Sequence, residues 1–201
     1  MVQNTGTVTL AANRTLAQKA LMVIAGSAFI ALAAQITVPF YPVPMTLQTL
    51  AVLLVGFTYG SRLGAATLLA YLAEGAMGLP VFAGGANGAA FFGPTAGFLV
   101  GFVPMAWLAG LASERGLARR PLALALAGIA ISAALYIPGL AWPMAIAKAF
   151  GIEAGWIGRS FTDFYWVHFV KPFLIGDTVK AVLAALIASG ALTALARRRA
   201  G

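Results

Sequence analysis

From residue 20 to residue 196 the sequence is a succession of apolar runs with very little polar chain between them. The runs cover residues 20–38, 47–59, 63–79, 95–112, 121–142 and 172–196. A hydrocarbon crossing takes about 20 apolar residues as a helix, so these runs predict six transmembrane helices and leave no room for a soluble domain. Composition agrees: 61% of the 201 residues are hydrophobic and 9% are charged. Counting the 23 glycines, the apolar share is roughly 70%, against about 45–50% in a soluble domain. The expectation is an all-α, polytopic membrane protein forming one domain over residues 1–201, with a flexible segment at 1–13 and a basic cytoplasmic tail at 197–201.

The first run, with Arg14 and Lys19 before it and Ala31-Leu32-Ala33 inside it, has the three parts of a signal peptide. Its length and the apolar chain that follows read it instead as helix 1. Val38-Pro39-Phe40-Tyr41-Pro42-Val43-Pro44-Met45-Thr46 carries three prolines, which remove backbone donors and exclude a regular helix, so a tight loop is expected there. Residues 80–94 are too rich in glycine and proline for a helix and too apolar for a loop in water. Irregular backbone at membrane depth is tolerated where protein or a water-filled cavity satisfies it. A re-entrant or capping loop between helices 3 and 4 is therefore predicted. Pro138 and Pro143 are expected to kink or end helix 5, and residues 148–171, with Trp156, Tyr165, Trp166 and His168, read as an interfacial segment.

The net charge of +8 follows from topology, with no nucleic acid implied. Nine of the 13 basic residues fall at the N-terminus, the 2–3 loop, the 4–5 loop and the tail, against Lys148, Arg159 and Lys171 on the other side. Basic loops stay in the cytoplasm. Both termini are accordingly expected to be cytoplasmic in a cell (inner) membrane, with the proline and glycine loops facing out. With no cysteine and one histidine, neither a disulfide nor a transition-metal site is expected, and no phosphate-binding loop motif is present for ATP.

Charges inside a span mark function by default, because each costs about 2.5–3.5 kcal/mol to insert. Three stand within the apolar runs: Glu74, Asp177 and Lys180. Asp177 and Lys180 are three residues apart and share a helix face. At a rise of about 1.5 Å per residue, all three fall in the outer half of the membrane, level with Gln48 and with Asn87 of the glycine loop. The alternative is that the pair only neutralises itself and clasps helices, and that Glu74 is structural. Small residues at four-residue spacing, as in Ser27-x-x-x-Ala31 and Gly97-x-x-x-Gly101, permit close helix contact.

Four ordered stretches carry a resemblance. Val43-Pro44-Met45-Thr46-Leu47-Gln48-Thr49-Leu50, Gly78-Leu79-Pro80-Val81-Phe82-Ala83-Gly84-Gly85, Gly93-Pro94-Thr95-Ala96-Gly97-Phe98 and Lys171-Pro172-Phe173-Leu174-Ile175-Gly176-Asp177-Thr178-Val179-Lys180 resemble the biotin transporter family BioY. That family supplies the substrate-binding S component of energy-coupling factor (ECF) transporters. The resemblance implies a six-helix fold that binds biotin near the outer surface, with no cofactor and no catalysis. It also implies partners, namely a membrane coupling protein and two ATPase subunits. Position by position, it implies ligand contacts at Asp177, Lys180 and Asn87, with Gln48 in the shared P-M-T-x-Q motif. Tyr41, Phe82, Phe91 and Trp142 are candidate apolar walls, and Glu74 completes the candidate set. The family's helix 1 commonly carries A-x-x-x-A for docking, where this chain has Ser27-x-x-x-Ala31. An S component for another vitamin and an intramembrane acid–base enzyme using Glu74, Asp177 and Lys180 are the competing readings.

Overall fold

The structure, a computed structural model, describes residues 9–10 and 14–200, with side chains described as far as residue 195. Most of the expected flexible N-terminal segment and the side chains of the basic tail lie outside the described residues.

The architecture is mostly helical. Helix α1 (Leu16–Gln35) opens on a capping box: the Thr15 side chain accepts from the Gln18 amide, and the Gln18 side chain accepts from the Thr15 amide. It ends three residues short of the expected 38, because residues 37–46 fold back as a small hairpin. Its strands β1 (Thr37–Val38) and β2 (Met45–Thr46) pair antiparallel, Thr37 opposite Thr46, and the proline loop forms the bend.

Helices α2 (Gln48–Tyr59) and α3 (Ser61–Ala76) meet at Gly60, whose φ of 88° is a left-handed conformation that favours glycine. The Ser61 amide donates to Glu114 Oε1 at 2.8 Å, so a carboxylate from the end of α4 (Ala96–Glu114) caps α3 where its dipole is positive. Glycines set how closely these helices pack. A Cβ on Gly56 would lie 2.6 Å from the Ala106 carbonyl oxygen, and one on Gly110 would run into the Ser61 amide nitrogen.

Residues 121–150 are continuous but broken once. Helix α5 (Pro121–Ala134) gives way at Leu135 to α6 (Tyr136–Phe150). Pro138 has no N–H to offer the carbonyl four residues back and crowds it, which accounts for the break. The expected end at Trp142 is corrected: Pro143 is accommodated inside α6, which runs on to Phe150 and stops at Gly151 in the left-handed region. Gly97 and Gly101 of α4 receive the kink, since a Cβ on Gly97 would meet the Pro138 carbonyl and one on Gly101 would lie 2.7 Å from Pro138 Cγ. This small-residue pair therefore serves internal packing.

The expected interfacial segment contains a wide π-helical stretch, Phe161–Val170, which leads into α7 (Leu174–Ala200). Among the described residues, four segments are long and apolar enough to cross a membrane: Leu16–Gln35, Ala96–Glu114, Pro121–Phe150 and Phe161–Leu195. The α2 and α3 helices are shorter. Large apolar side chains such as Leu21, Ile24 and Leu32 on α1 and Ile175 and Leu186 on α7 are exposed, as a lipid-facing surface requires.

Candidate functional site

A cavity of about 300 Å³ opens where the hairpin, the glycine loop and the first turns of α4, α6 and α7 converge. That is the small end of the range for ligand pockets. Phe98, Phe102, Phe169 and Phe173 supply aromatic walls, while Asp177, Lys180, Thr46, Gln48, Thr49 and Tyr136 supply its polar atoms.

The last helix brings both charges because an i, i+3 spacing places them on one face. Lys180 Nζ lies 2.7 Å from Asp177 Oδ1, with both residues buried. Lys180 also donates to the Thr46 carbonyl at 3.1 Å, which fastens α7 to the hairpin. Asp177 gathers two further donors: Thr49 Oγ1 to Oδ1 at 3.2 Å and Tyr136 Oη to Oδ2 at 2.6 Å. Burying charged groups in an apolar setting is costly unless they are paired and hydrogen-bonded, and this cluster is both.

Gln48 is buried beside it and donates to Tyr71 Oη at 2.7 Å, and Tyr71 donates to the Val81 carbonyl at 2.9 Å. The chain of bonds ties α2, α3 and the start of the glycine loop together. Phe82 is fully buried on the cavity wall, edge-on to Tyr71 and Phe91 at 5.3 and 5.4 Å between ring centres. Gly75 makes that seat, since any Cβ there would collide with the Phe82 ring.

The structure brings Asp177, Lys180, Gln48 and Phe82 together around one cavity. Phe91 backs Phe82 without lining the cavity, and Trp142 fixes the far end of the glycine loop by donating to the Gly93 carbonyl at 3.1 Å. Asn87 is exposed and turned onto its own loop: its Oδ1 accepts from the Ala89 amide at 3.3 Å and caps the short 3₁₀ turn Gly88–Phe92. Tyr41 is exposed at the hairpin bend. Glu74 faces α1 and accepts from Ser27 Oγ at 2.7 Å, in a separate groove with Ala28, Ala31 and Gln35. The expected common depth of Glu74, Asn87 and the charged pair therefore does not translate into a common site. With Glu74 turned away, the carboxylates an intramembrane acid–base enzyme would need are not assembled. Among the described residues, no group of three or more metal-ligating side chains gathers.

Tyr136, Thr49 and the Thr46 carbonyl are site groups the sequence did not single out. The available signal was a tyrosine and a threonine in otherwise apolar helices, which is weak because either residue is ordinary near a membrane interface.

The family model described as BioY family matches residues 4–197. The chain belongs to the BioY family. Relatives include the Biotin transporter BioY of Rhodobacter capsulatus, 42% identical over 155 residues that cover 74% of this chain and 78% of that protein. The Biotin transporter BioY of Rhizobium etli is 37% identical over 155 residues, covering 76% and 79%. The Probable biotin transporter BioY of Pyrococcus horikoshii is 36% identical over 156 residues, covering 77% and 84%. Among solved structures, the S-component for biotin from an ECF-type ABC transporter superposes with a TM-score of 0.68 over 88% of this chain and 93% of that one. At 24% identity that likeness speaks for the fold. In this BioY family member the four resembling stretches fall in the P-M-T-x-Q hairpin, the glycine loop, the start of α4 and the start of α7, and the cavity is completed by Leu135, Tyr136 and Phe169 from outside them.

Proposed function

We propose that the chain is the substrate-binding S component of a biotin uptake system, taking biotin into the cavity beside Asp177 and Lys180. The observation that carries this reading is the buried Asp177–Lys180 pair on the wall of an aromatic cavity, in a chain whose relatives at 36–42% identity are named biotin transporters. Biotin has an apolar thioether ring, a ureido group with two N–H donors and one carbonyl, and a valerate carboxylate. Aromatic walls suit the ring. An ionised Asp177 accepts a ureido N–H, and Lys180 has an ammonium proton left for the carbonyl once Asp177 and Thr46 take the other two. Gln48 and Phe82 complete the contact set, while Asn87, Phe91 and Trp142 act by ordering the glycine loop over the ligand.

Six crossings, with α5 and α6 forming one kinked span and α2 and α3 tilted little, put both termini in the cytoplasm and the cavity at the outer face of the cell membrane. The basic residues Arg62, Arg115, Arg119 and Arg120 at the opposite end from the cavity support that orientation. The glycine loop then acts as a re-entrant cap. A membrane coupling protein and two ATPase subunits complete the transporter. Purified, monodisperse protein in detergent should bind radiolabelled biotin saturably and hydrolyse no ATP, and failure to bind would remove the reading.

A further inference from the structure

The Asp177 carboxylate is held by three donors from three different elements, and only one of these is the lysine. A carboxylate offers about four lone-pair positions. Oδ1 has Lys180 and Thr49, while Oδ2 has Tyr136 at 2.6 Å, the shortest of the contacts to this group. Among the described residues one position therefore stays open, on Oδ2, next to the phenol. Tyr136 is the first residue of α6, so the break at Leu135 is what delivers it to the cavity. The ring of Phe98 meets it edge-on at 6.2 Å, and Phe98 stacks in turn on Phe169 at 6.4 Å. A phenol fixed by a helix start and an aromatic neighbour has little freedom to swing away.

Resting on the biotin reading above, we infer that Tyr136 is a specificity-determining positioning residue. By occupying half of Asp177 Oδ2 and spreading its charge, the phenol makes the carboxylate accept a single neutral N–H and disfavours a cationic ligand. Lys180 balances the carboxylate from the Oδ1 side, so the phenol controls Oδ2 alone: without it that oxygen takes the stronger donor, a guanidinium N–H before a ureido one. The kink at Pro138 is thereby tied to ligand choice as well as to packing.

The test compares biotin with 2-iminobiotin, which carries a guanidinium in place of the urea, at a pH where that group is protonated. Wild-type protein should bind biotin and prefer it. Tyr136→Phe keeps the ring and its Phe98 contact while removing the phenol donor from Asp177 Oδ2. The preference should shift at least tenfold toward 2-iminobiotin. Site-specific 3-fluorotyrosine at position 136, isosteric and a stronger donor, should move the preference the other way. An unchanged ratio in a monodisperse Tyr136→Phe protein overturns the inference. Should that variant fail to fold, an unchanged ratio with the fluorinated residue overturns it instead. Wild-type protein that does not bind biotin at all would overturn the underlying functional reading, which is a different result.

Discussion

Lys180 reaches from the first turns of α7 to two acceptors at once, Asp177 Oδ1 at 2.7 Å and the Thr46 carbonyl at 3.1 Å. The residue thus joins the last helix to the hairpin that borders the cavity, and its charge is balanced inside the protein. Removing one partner of such a buried pair costs about 3–5 kcal/mol, because the other is left charged and unpaired. Replacing both partners by apolar residues costs far less.

Two variants separate recognition from clasping on that basis. Asp177→Asn should weaken biotin binding at least tenfold and lower Tm, since Lys180 is stranded. The double variant Asp177→Leu with Lys180→Met should recover part of that Tm, short of what the Thr49 and Tyr136 hydroxyls lose with their acceptor, while binding stays lost. Affinity and melting measured on the same preparations check this, and restored binding in the double variant would make the pair a structural clasp.

Asn87 is placed to act through the loop. Its Oδ1 caps the turn Gly88–Phe92, whose Ala90 lines the cavity. Losing such a cap costs about 1 kcal/mol, so Asn87→Ala should weaken biotin roughly fivefold. Asn87→Asp retains the accepting oxygen and should stay close to wild type. Equal losses in both variants, read by equilibrium binding, would move the role to the amide Nδ2, which donates to the Gly78 carbonyl at 3.5 Å.

Gln35 at the end of α1 holds the other side of the same loop, donating to the Phe82 carbonyl at 3.1 Å and accepting from the Gly85 amide at 3.0 Å. Gln35→Ala removes both bonds at a site away from the charged pair. Biotin should dissociate several-fold faster, since two neutral hydrogen bonds are worth about 1–3 kcal/mol together. Dissociation followed by isotope chase tests it.

How much of this was legible depended on whether a residue's chemistry or its direction mattered. Asp177 and Lys180 announce themselves because charge in an apolar run is expensive and their spacing fixes a shared face. Glu74 was as conspicuous, yet helical rise gives only its depth. Its direction is set by rotation about α3, and Tyr71, one turn earlier, takes the inward face while Glu74 turns to Ser27. Pro138 was readable as a kink, but Pro143 did not end the helix, because a buried packing site supports α6 through it. Tyr136 does not stand out in the sequence, since a tyrosine near a helix end resembles an interface anchor. Its role appears only once the kink brings it to Asp177.

Orientation is open to direct assay. A reporter fused after Gly201 should be cytoplasmic, and a labelled cysteine introduced at Asn87 should react from outside intact cells. External labelling at the C-terminus would contradict the six-crossing arrangement drawn from the basic residues.

The most direct measurement of the central claim is equilibrium binding of radiolabelled biotin to the purified, detergent-solubilised chain, free of any coupling protein or ATPase. Saturable binding of one biotin per chain, competed by unlabelled biotin and lost in Asp177→Asn, is the predicted result. A monodisperse wild-type protein that binds no biotin, or that binds it undiminished in Asp177→Asn, would contradict the account.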